Sequence, residues 1–419
     1  MREMKDSGIG WVHEIPNNWT VVKGKYIFNI KKQVVGARVD DYERLALTLN
    51  GVIKRAKDDN EGLQPDKFNT YQILRKNELV FKLIDLQNVS TSRVGLSHYT
   101  GIVSPAYIIL KATKQINPVY AEKYYLMMWM NQVFNALGDS GVRSSLNSNE
   151  LLEISLPLPS HDEQIQIAEF LDKKCTKIDG ITKDLQEQID TLENYKKSVI
   201  TEAVTKGLNP NVEMVDSKIR YIGKMPQHWA IDKGKFIFQY IQKSVRLDDG
   251  VITCFRDGEV TLRSNRRKDG FTISEKEIGY QGIDKGDLIV HGMDGFAGAI
   301  GISDSRGKAS PVLTVLETNN SKRFYMYYLR SMALRGVFEA LSTGIRVRTC
   351  DTNWGKLKEI VYLLPPIQEQ KEIANYLDNK CAEIDEIIKS KKEQVEIIEE
   401  YKKSLIYEYV TGKKEVKNA

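Results

Sequence analysis

Arginines that stand beside small polar residues are the side chains of this sequence whose types and spacing are best suited to chemistry. Arg143, Ser144 and Asn147 share one short segment, and Arg346 with Arg348 occupy the matching segment of the second half. Guanidinium groups bind phosphates and can pair with base edges, while hydroxyl and amide groups assist. Further basic residues cluster in both halves: Lys54, Arg55 and Arg93, then Arg256, Arg263, Arg266 and Arg267. Each residue taken alone is equally well explained as a solvated surface charge, but the matched sets favour DNA contact.

Motifs for catalysis are missing from the sequence. It contains neither the phosphate-binding G-x-x-x-x-G-K-[ST] loop nor a G-x-G-x-x-G between a strand and a helix. Its five histidines fall in no ligand spacing, and its four cysteines form no C-x-x-C pair. The glycine-rich segment 292–298 is interpreted as a tight turn. We therefore predict no catalytic residue, no metal site and no cofactor bound by this chain.

Composition is that of an ordinary water-soluble protein. The 419 residues suffice for two to four domains, and the net charge of +5 is too small by itself to indicate nucleic acid. The longest apolar runs, such as 106–110, fall far short of the roughly 18 residues that a membrane span needs. Because the N-terminus also lacks the apolar core of a signal peptide, a cytoplasmic protein is expected, with no membrane partner.

The element that must position the basic segments is a long helix that occurs twice. Residues 162–205 align with residues 368–411, and 23 of the 44 aligned positions are identical. Prolines precede both copies, and Gly207 and Gly412 follow them, which is typical of helix boundaries. Similarity this dense indicates an internal repeat.

An apolar stripe at seven-residue spacing runs along each copy and predicts helix pairing. Its members are Leu171, Ile178, Leu185, Leu192 and Val199 in the first copy, and Leu377, Ile384, Ile398 and Leu405 in the second. Lys391 interrupts the second stripe. A long exposed stripe needs a long partner, so the two copies are expected to pair antiparallel, with one module at each end and an approximate two-fold axis.

A mixed module precedes each helix. Both modules open with Ile-Gly, then Pro and Trp, and continue with short apolar runs that predict strands, followed by an aromatic-rich helix over 120–134 and 324–338. The loops 50–66 and 256–270 share little beyond polar and basic character. The predicted fold class is α+β: two similar globular modules in internal repeat and two long helices forming an antiparallel coiled-coil-like pair.

These repeated features resemble the specificity subunit of type I restriction-modification enzymes. The resemblance is carried by the Ile-Gly...Pro...Trp openings, Glu-Gln-x-x-Ile-Ala-x-x-Leu-Asp at 163–172 and 369–378, and Tyr-Lys-Lys-Ser at 195–198 and 401–404. It covers residues 9–410. The corresponding divisions are 1–158 for the first recognition domain, 159–206 for its helix, 207–222 for a linker, 223–366 for the second recognition domain, 367–411 for its helix and 412–419 for a tail.

The resemblance implies that each recognition domain binds one half of a bipartite, asymmetric site in double-stranded DNA. It implies that two methyltransferase subunits dock on the helices and modules, and that restriction subunits, with endonuclease and translocase activity, join them. S-adenosylmethionine, Mg and ATP would then be bound by those partner subunits. The alternatives are an interaction scaffold that binds no DNA and, less favoured because the motifs are missing, a nuclease or methyltransferase in its own right.

Overall fold

The computed structural model describes residues 2–30, 32–59, 68–86, 93–138, 144–266, 277–341 and 352–416. The chain forms two compact units. Unit 1 comprises Met1–Gln186 and Glu393–Ala419, whereas unit 2 is the continuous segment Glu187–Lys392. Among the helices of the described ranges, none combines the length and hydropathy that a membrane crossing requires.

Unit 1 contains the first module. Its strands are β1 (Met4–Ile9), β2 (Val12–Pro16), β3 (Thr20–Lys23), β4 (Phe28–Ile30), β5 (Arg44–Thr48), β6 (Gly51–Arg55), β7 (Gln72–Leu74), β8 (Leu79–Lys82), β9 (Arg93–Leu96), β10 (Gly101–Val103), β11 (Ile108–Ala112) and β12 (Ser155–Leu158). Its helices are α1 (Gly24–Ile27), α2 (Pro118–Met130), α3 (Val133–Leu137), α4 (Ser148–Glu153) and the first part of α5 (His161–Lys206).

Two four-stranded sheets form the centre of this module. One has the strand order β4-β11-β8-β9 and the other β6-β5-β10-β7. Strand β8 is buried along most of its length because Leu79, Val80 and Phe81 face packed side chains on both sides of the sheet. Helix α2 covers the first sheet, and the ring of its Tyr125 packs edge-on against Phe81 at 5.0 Å between centroids.

Unit 2 contains the second module. Its strands are β13 (Met214–Asp216), β14 (Lys224–Pro226), β15 (Ala230–Lys233), β16 (Gln239–Ile241), β17 (Ile252–Cys254), β18 (Val260–Leu262), β19 (Gln281–Ile283), β20 (Leu288–His291), β21 (Ile300–Ile302), β22 (Gly307–Ala309), β23 (Leu313–Glu317) and β24 (Val361–Leu364). Its helices are α6 (Gly234–Ile237), α7 (Arg263–Arg266), α8 (Lys322–Leu334), α9 (Val337–Ala340), α10 (Trp354–Leu357) and the first part of α11 (Ile367–Val410).

The second module repeats the scaffold of the first. Its four-stranded sheet has the order β16-β23-β20-β21, which matches β4-β11-β8-β9 strand for strand. Beyond this sheet the modules differ, because the first continues into a second four-stranded sheet and the second into the pairs β17-β18 and β19-β22. The α+β class with two similar modules is therefore confirmed.

Each predicted aromatic-rich helix is broken into two. Helix α2 ends at Met130 and α3 begins at Val133, because Gln132 adopts a left-handed conformation with φ 57°. Gly336, with φ 66°, makes the same break between α8 and α9. The prediction of one continuous helix over each of 120–134 and 324–338 was wrong in this respect, because hydrophobic periodicity does not reveal a single residue in the left-handed conformation.

The predicted linker also needs correction. Residues 207–222 contain strand β13, which pairs antiparallel with β14 through Met214 and Pro226. Ile222 is buried in the main core of unit 2, and Ile219 packs against that core. This segment is the start of the second module, equivalent to the β1-β2 hairpin that opens the first.

Helices α5 and α11 run antiparallel within each unit. In unit 1, Lys402 Nζ lies 2.5 Å from Asp179 Oδ1. In unit 2, Lys196 Nζ lies 2.6 Å from Asp385 Oδ2. As numbering rises along α5 it falls along α11, with Phe170 stacked near Tyr409 at 4.5 Å between ring centroids. The expected antiparallel pairing is thus observed inside both units.

The residues of the apolar stripe pack into the cores of the two units as well as between the two helices. Leu171, Ile178 and Leu405 lie in the core of unit 1 with Ile398 packed against it, and Leu377 lies in the core of unit 2 with Val199 packed against it. Only Ile189, Ile384 and Ile388, with Leu192 beside them, form a separate cluster between the helices. Leu185 is also buried. The prediction of full-length stripe pairing was therefore too broad.

Lys391, which interrupts the apolar stripe of the second helix, takes part in the helix pairing. Its ammonium group donates a hydrogen bond of 2.6 Å to Gln188 Oε1 on the other helix. A lysine can keep its charged end in water while its stem lies along apolar neighbours, so this position remains compatible with close helix packing.

Candidate nucleic-acid interface

The turn between β17 and β18 carries the most exposed of the predicted arginines that are described in unit 2. The Arg256 side chain is 68% exposed, and its Nη2 lies 2.8 Å from Asp294 Oδ1. This single contact occupies one edge of the guanidinium and orients it. The orientation is suited to a phosphate or a base edge, because a planar guanidinium can bind on two edges.

Helix α7 places two further arginines beside this turn. Arg266 binds Asp257 at 2.5 Å and Glu259 at 3.1 Å, and its guanidinium carbon lies 4.1 Å from the ring centroid of Phe255. The hydrogen bond to Asp257 raises the pKa of Arg266. Arg263 Nε donates to Thr253 Oγ1 at 3.3 Å. Both guanidinium groups are held in place by neighbours.

A glycine-rich turn between β20 and β21 abuts the Arg256 turn. Gly298 has φ 95°, and a Cβ atom there would lie 2.8 Å from the carbonyl oxygen of Arg256, so only glycine fits. Met293 in this turn is 64% exposed. The segment expected to be a tight turn does form one, and the sequence did not indicate that Met293 and Asp294 would join the basic surface.

His291 stabilises the same turn as an acceptor. Its Nδ1 accepts hydrogen bonds from the backbone N–H groups of Asp294, at 3.0 Å, and Met293, at 3.2 Å. Burial lowers the pKa of His291. The neutral ring is the form that the turn requires, since a protonated Nδ1 could not accept.

Thr352 connects this turn to the predicted arginine segment. Its N–H donates to Gly292 O at 2.7 Å, and its hydroxyl donates to His291 O at 2.8 Å. Arg346 and Arg348, which precede it, lie outside the described residues, as do Arg267 and Arg143.

In unit 1, Lys54 and Arg55 lie on strand β6 and not in the loop where they were expected. Lys54 Nζ lies 2.6 Å from Glu43 Oε2 and 5.3 Å from the ring centroid of Tyr99. Arg55 Nε donates to Asp59 Oδ2 at 2.7 Å. Their charges are partly balanced by neighbouring carboxylates.

Arg93 begins β9, and its Nη1 donates to the carbonyl oxygen of Leu47 at 3.1 Å. The phenol of Tyr107 lies in the field of Arg93, Arg44 and Arg55. Burial raises the pKa of Tyr107 despite these positive charges. Arg44, which the sequence analysis did not single out, is buried, and its guanidinium lies over the ring of Phe68.

Ser144 and Asn147 have structural roles that the sequence analysis did not anticipate. Ser144 is buried, and its carbonyl oxygen accepts a hydrogen bond from Leu86 N at 3.1 Å. Asn147 caps α4: its Oδ1 accepts from Asn149 N and Glu150 N at 2.9 and 3.1 Å. Asn147 also lines a cavity of about 330 Å³ with Tyr107. Buried Ser144 is poorly placed for DNA contact, and the Asn147 oxygen is already used by the cap.

Known proteins share this architecture. The family model of the type I restriction modification DNA specificity domain matches residues 16–191 and 239–397. A protein of Methanocaldococcus jannaschii assigned as the MjaX specificity subunit of a type I restriction enzyme is 23% identical, over 97% of this chain and 96% of that protein. The MjaVIII specificity subunit of the same organism is also 23% identical, over 96% and 95%.

A solved structure agrees on the fold. The match is a chain of a solved structure that describes complex assembly and conformational transition of the type I R-M system. Its TM-score is 0.67, with 12% sequence identity. The match covers 95% of this chain and 99% of that one. Since the family model matches both halves of the sequence, the chain belongs to the type I restriction-modification DNA specificity family.

Proposed function

We propose that this chain is the DNA-specificity subunit of a type I restriction-modification complex, in which each module recognises one half of a bipartite asymmetric site. The observation that carries the proposal is the repeated scaffold with unlike surfaces. The four-stranded sheets β4-β11-β8-β9 and β16-β23-β20-β21 have the same order. In the second module Arg256 lies in the β17-β18 turn and Arg266 in α7, whereas in the first module Arg93 contacts a second sheet. A constant frame with variable basic surfaces suits a protein that recognises two different half-sites.

Exchange of one module tests this proposal. Residues 23–158 would be replaced by the equivalent module of another specificity subunit, and methylated adenines would be mapped genome-wide. We expect one half of the methylated site to change while the other half and the spacer stay the same. A change in both halves, or in neither, would contradict the assignment of one half-site to each module.

The chain itself is proposed to be non-catalytic and to act in the cytoplasm. Methyltransferase subunits would bind S-adenosylmethionine, and restriction subunits would use ATP and Mg. The described residues hold no cluster of His, Cys, Asp or Glu able to bind a metal. A purified chain that transferred methyl groups by itself would overturn this part of the proposal.

Two matched surfaces on the helices are proposed to dock two methyltransferase subunits. In unit 1, Ile181 and Tyr401 are exposed on the two helices that the Asp179–Lys402 ion pair joins. We call this surface helix patch 1. In unit 2, the repeat counterparts Ile387 and Tyr195 are also exposed, and Asp385 and Lys196 form the matching ion pair. We call the surface formed by these four residues helix patch 2.

The exposure of these side chains supports docking. Ile181 is 41% and Ile387 40% exposed, and Tyr195 and Tyr401 are 48% and 57% exposed. Large apolar side chains repeated on two equivalent surfaces are suited to partners that bind in two copies, with the polar ion pair fixing orientation. Replacing Tyr401 by Ser should lower the methyltransferase-to-specificity stoichiometry from two toward one in native mass spectrometry. Unchanged stoichiometry and affinity would exclude this surface.

A further inference from the structure

A duplicated hydrogen-bond cluster attaches each module to its long helix. In unit 1, Gln164 is 1% exposed, and its Oε1 accepts a hydrogen bond of 2.7 Å from Asn117 N. Its Nε2 donates to the carbonyl oxygens of Pro159 and Gln115 at 3.1 and 3.2 Å. One amide therefore connects the helix to the segment before it and to the N-cap of α2.

Gln370 repeats this arrangement in unit 2. It is 0% exposed, its Oε1 accepts from Ser321 N at 3.0 Å, and Ser321 is the N-cap of α8. Its Nε2 donates to Pro365 O at 2.8 Å and to Asn320 Oδ1 at 3.0 Å. Two contacts recur in both units, one with the N-cap N–H and one with a proline carbonyl oxygen, although the N-cap residues Asn117 and Ser321 differ in type. This recurrence points to a common geometric requirement.

The neighbouring glutamates anchor the module openings. Glu163 accepts from the indole N–H of Trp19 at 2.9 Å, and Glu369 accepts from that of Trp229 at 2.8 Å. Both indoles are buried. We call the Glu-Gln pair with its module contacts the clamp: residues Glu163, Gln164 and Trp19 in unit 1, and Glu369, Gln370 and Trp229 in unit 2.

The clamp is mechanically connected to the basic surfaces through α2 and α8. In α2, Glu122 accepts a hydrogen bond of 3.1 Å from Leu96 N in β9, the strand that begins with Arg93. In α8, the Arg330 guanidinium packs against Gly258, where a Cβ atom would overlap it, in the turn that carries Arg256. Both helices thus transmit the orientation set at their N-caps to the proposed DNA-contact side chains.

Small rotations at the clamp are large on the scale of DNA. A module of this size has a radius of about 15 Å. A rotation of about 13° about its attachment would therefore move its surface by about 3.4 Å, the rise of one base pair. A rigid attachment is needed if one spacer length is to be distinguished from the next.

We infer that the Glu163-Gln164 and Glu369-Gln370 clamps are positioning elements that set the number of base pairs allowed between the two half-sites. This inference rests on the proposed function. It assigns spacer selectivity to the attachment of each module, in addition to the length of the helices. The bases recognised by each module are independent of the clamp.

The test uses the assembled methyltransferase and plasmids that carry both half-sites at the natural spacing or at one base pair more or fewer. In Gln164→Ala and in Gln370→Ala, we expect the methylation rate at the altered spacings, relative to the natural one, to rise at least about fivefold. Each variant loses three hydrogen bonds, and the net loss of even one changes an equilibrium about fivefold. The recognised half-site bases should not change. Exposed Gln166→Ala, on the same helix, should behave as the unmodified chain.

Trp19→Phe provides a second variant in case Gln164→Ala fails to fold, because it keeps an aromatic side chain at this buried position and removes the indole donor to Glu163. It should shift the same ratio in the same direction. If both variants methylate more slowly at every spacing with the ratio unchanged, the residues stabilise the fold only and the inference is wrong. If the unmodified complex methylates no bipartite site, the proposed function falls together with the inference.

Discussion

Replacing Ile384 by Ala should destabilise the helix pair far more than replacing Ile387, three residues further along the same helix. Ile384 is 2% exposed and lies in the cluster with Ile189 and Ile388, whereas Ile387 is 40% exposed. Loss of three buried carbon groups costs about 2.4 kcal/mol at 0.8 kcal/mol each, and the cavity adds to this. The better helix propensity of Ala returns about 0.4 kcal/mol. We expect a net cost of about 3 kcal/mol.

The Ile387→Ala variant is the matched control, with the same atoms removed from the same helix. Because Ile387 is 40% exposed, its replacement loses only about three fifths of the free energy of transfer from water and leaves no cavity, while Ala brings the same gain in helix propensity. The free energy of unfolding should therefore fall by about 1 kcal/mol. Urea titration followed by far-ultraviolet circular dichroism measures both variants. Assembly with the methyltransferase should show the opposite ranking, because Ile387 belongs to helix patch 2. Equal unfolding midpoints for the two variants would refute the distinction between a buried and an exposed face.

Three further outcomes follow from the electrostatics and burial of unit 2. Hydrogen bonds from Lys243 and then Arg306 lower the pKa of Asp284 to about 2. The contribution of Asp284 to the free energy of unfolding is therefore complete above about pH 4 and is lost as the pH falls toward 2. Asp284→Asn should remove this part of the acid sensitivity, measured by urea titrations at several pH values. Burial raises the pKa of the Cys254 thiol to about 12. In a chain whose other three cysteines are replaced by Ala, Cys254 should therefore react with a thiol reagent at pH 8 only after unfolding. Rapid labelling of the folded chain would contradict this. If Arg256 binds a phosphate, Arg256→Ala should lower the slope of log affinity on log salt by about 0.9 in the assembled methyltransferase, whereas the same change at exposed Arg220 should not.

The repeat made most of the fold predictable. Identity between 162–205 and 368–411 identified both long helices, and short apolar runs located strands such as β5, β8 and β20. The left-handed Gln132 was not predictable, because its conformation is imposed by packing and not by its residue type. The stripe was assigned only to helix pairing because seven-residue spacing identifies a buried face without revealing what covers it. Leu171 and Leu377 are in fact covered by their modules.

The candidate site was predictable in composition and not in detail. The basic loop 256–270 was predicted as one segment, and its Arg256 and Arg266 do lie beside one turn. The matched segments with Arg143, Arg346 and Arg348 stay a prediction. Ser144 and Asn147 were chosen for their polar groups, but a sequence does not show whether such a group caps a helix or is buried. The Glu-Gln motif was noticed only as a family signature, since its hydrogen bonds join residues far apart in the chain.

Unit 1 is built from two separate segments of the chain, and this has a consequence for biosynthesis. Its core includes Leu405, Ile406 and Val410 from the last part of α11, and Tyr120 donates a hydrogen bond of 3.1 Å to Val410 O. A ribosome therefore has to translate as far as Val410 before the N-terminal module can bury its own centre. Unit 2, whose residues 187–392 are continuous, needs no such delay. A nonsense mutation near codon 393 would consequently damage the module that was synthesised first.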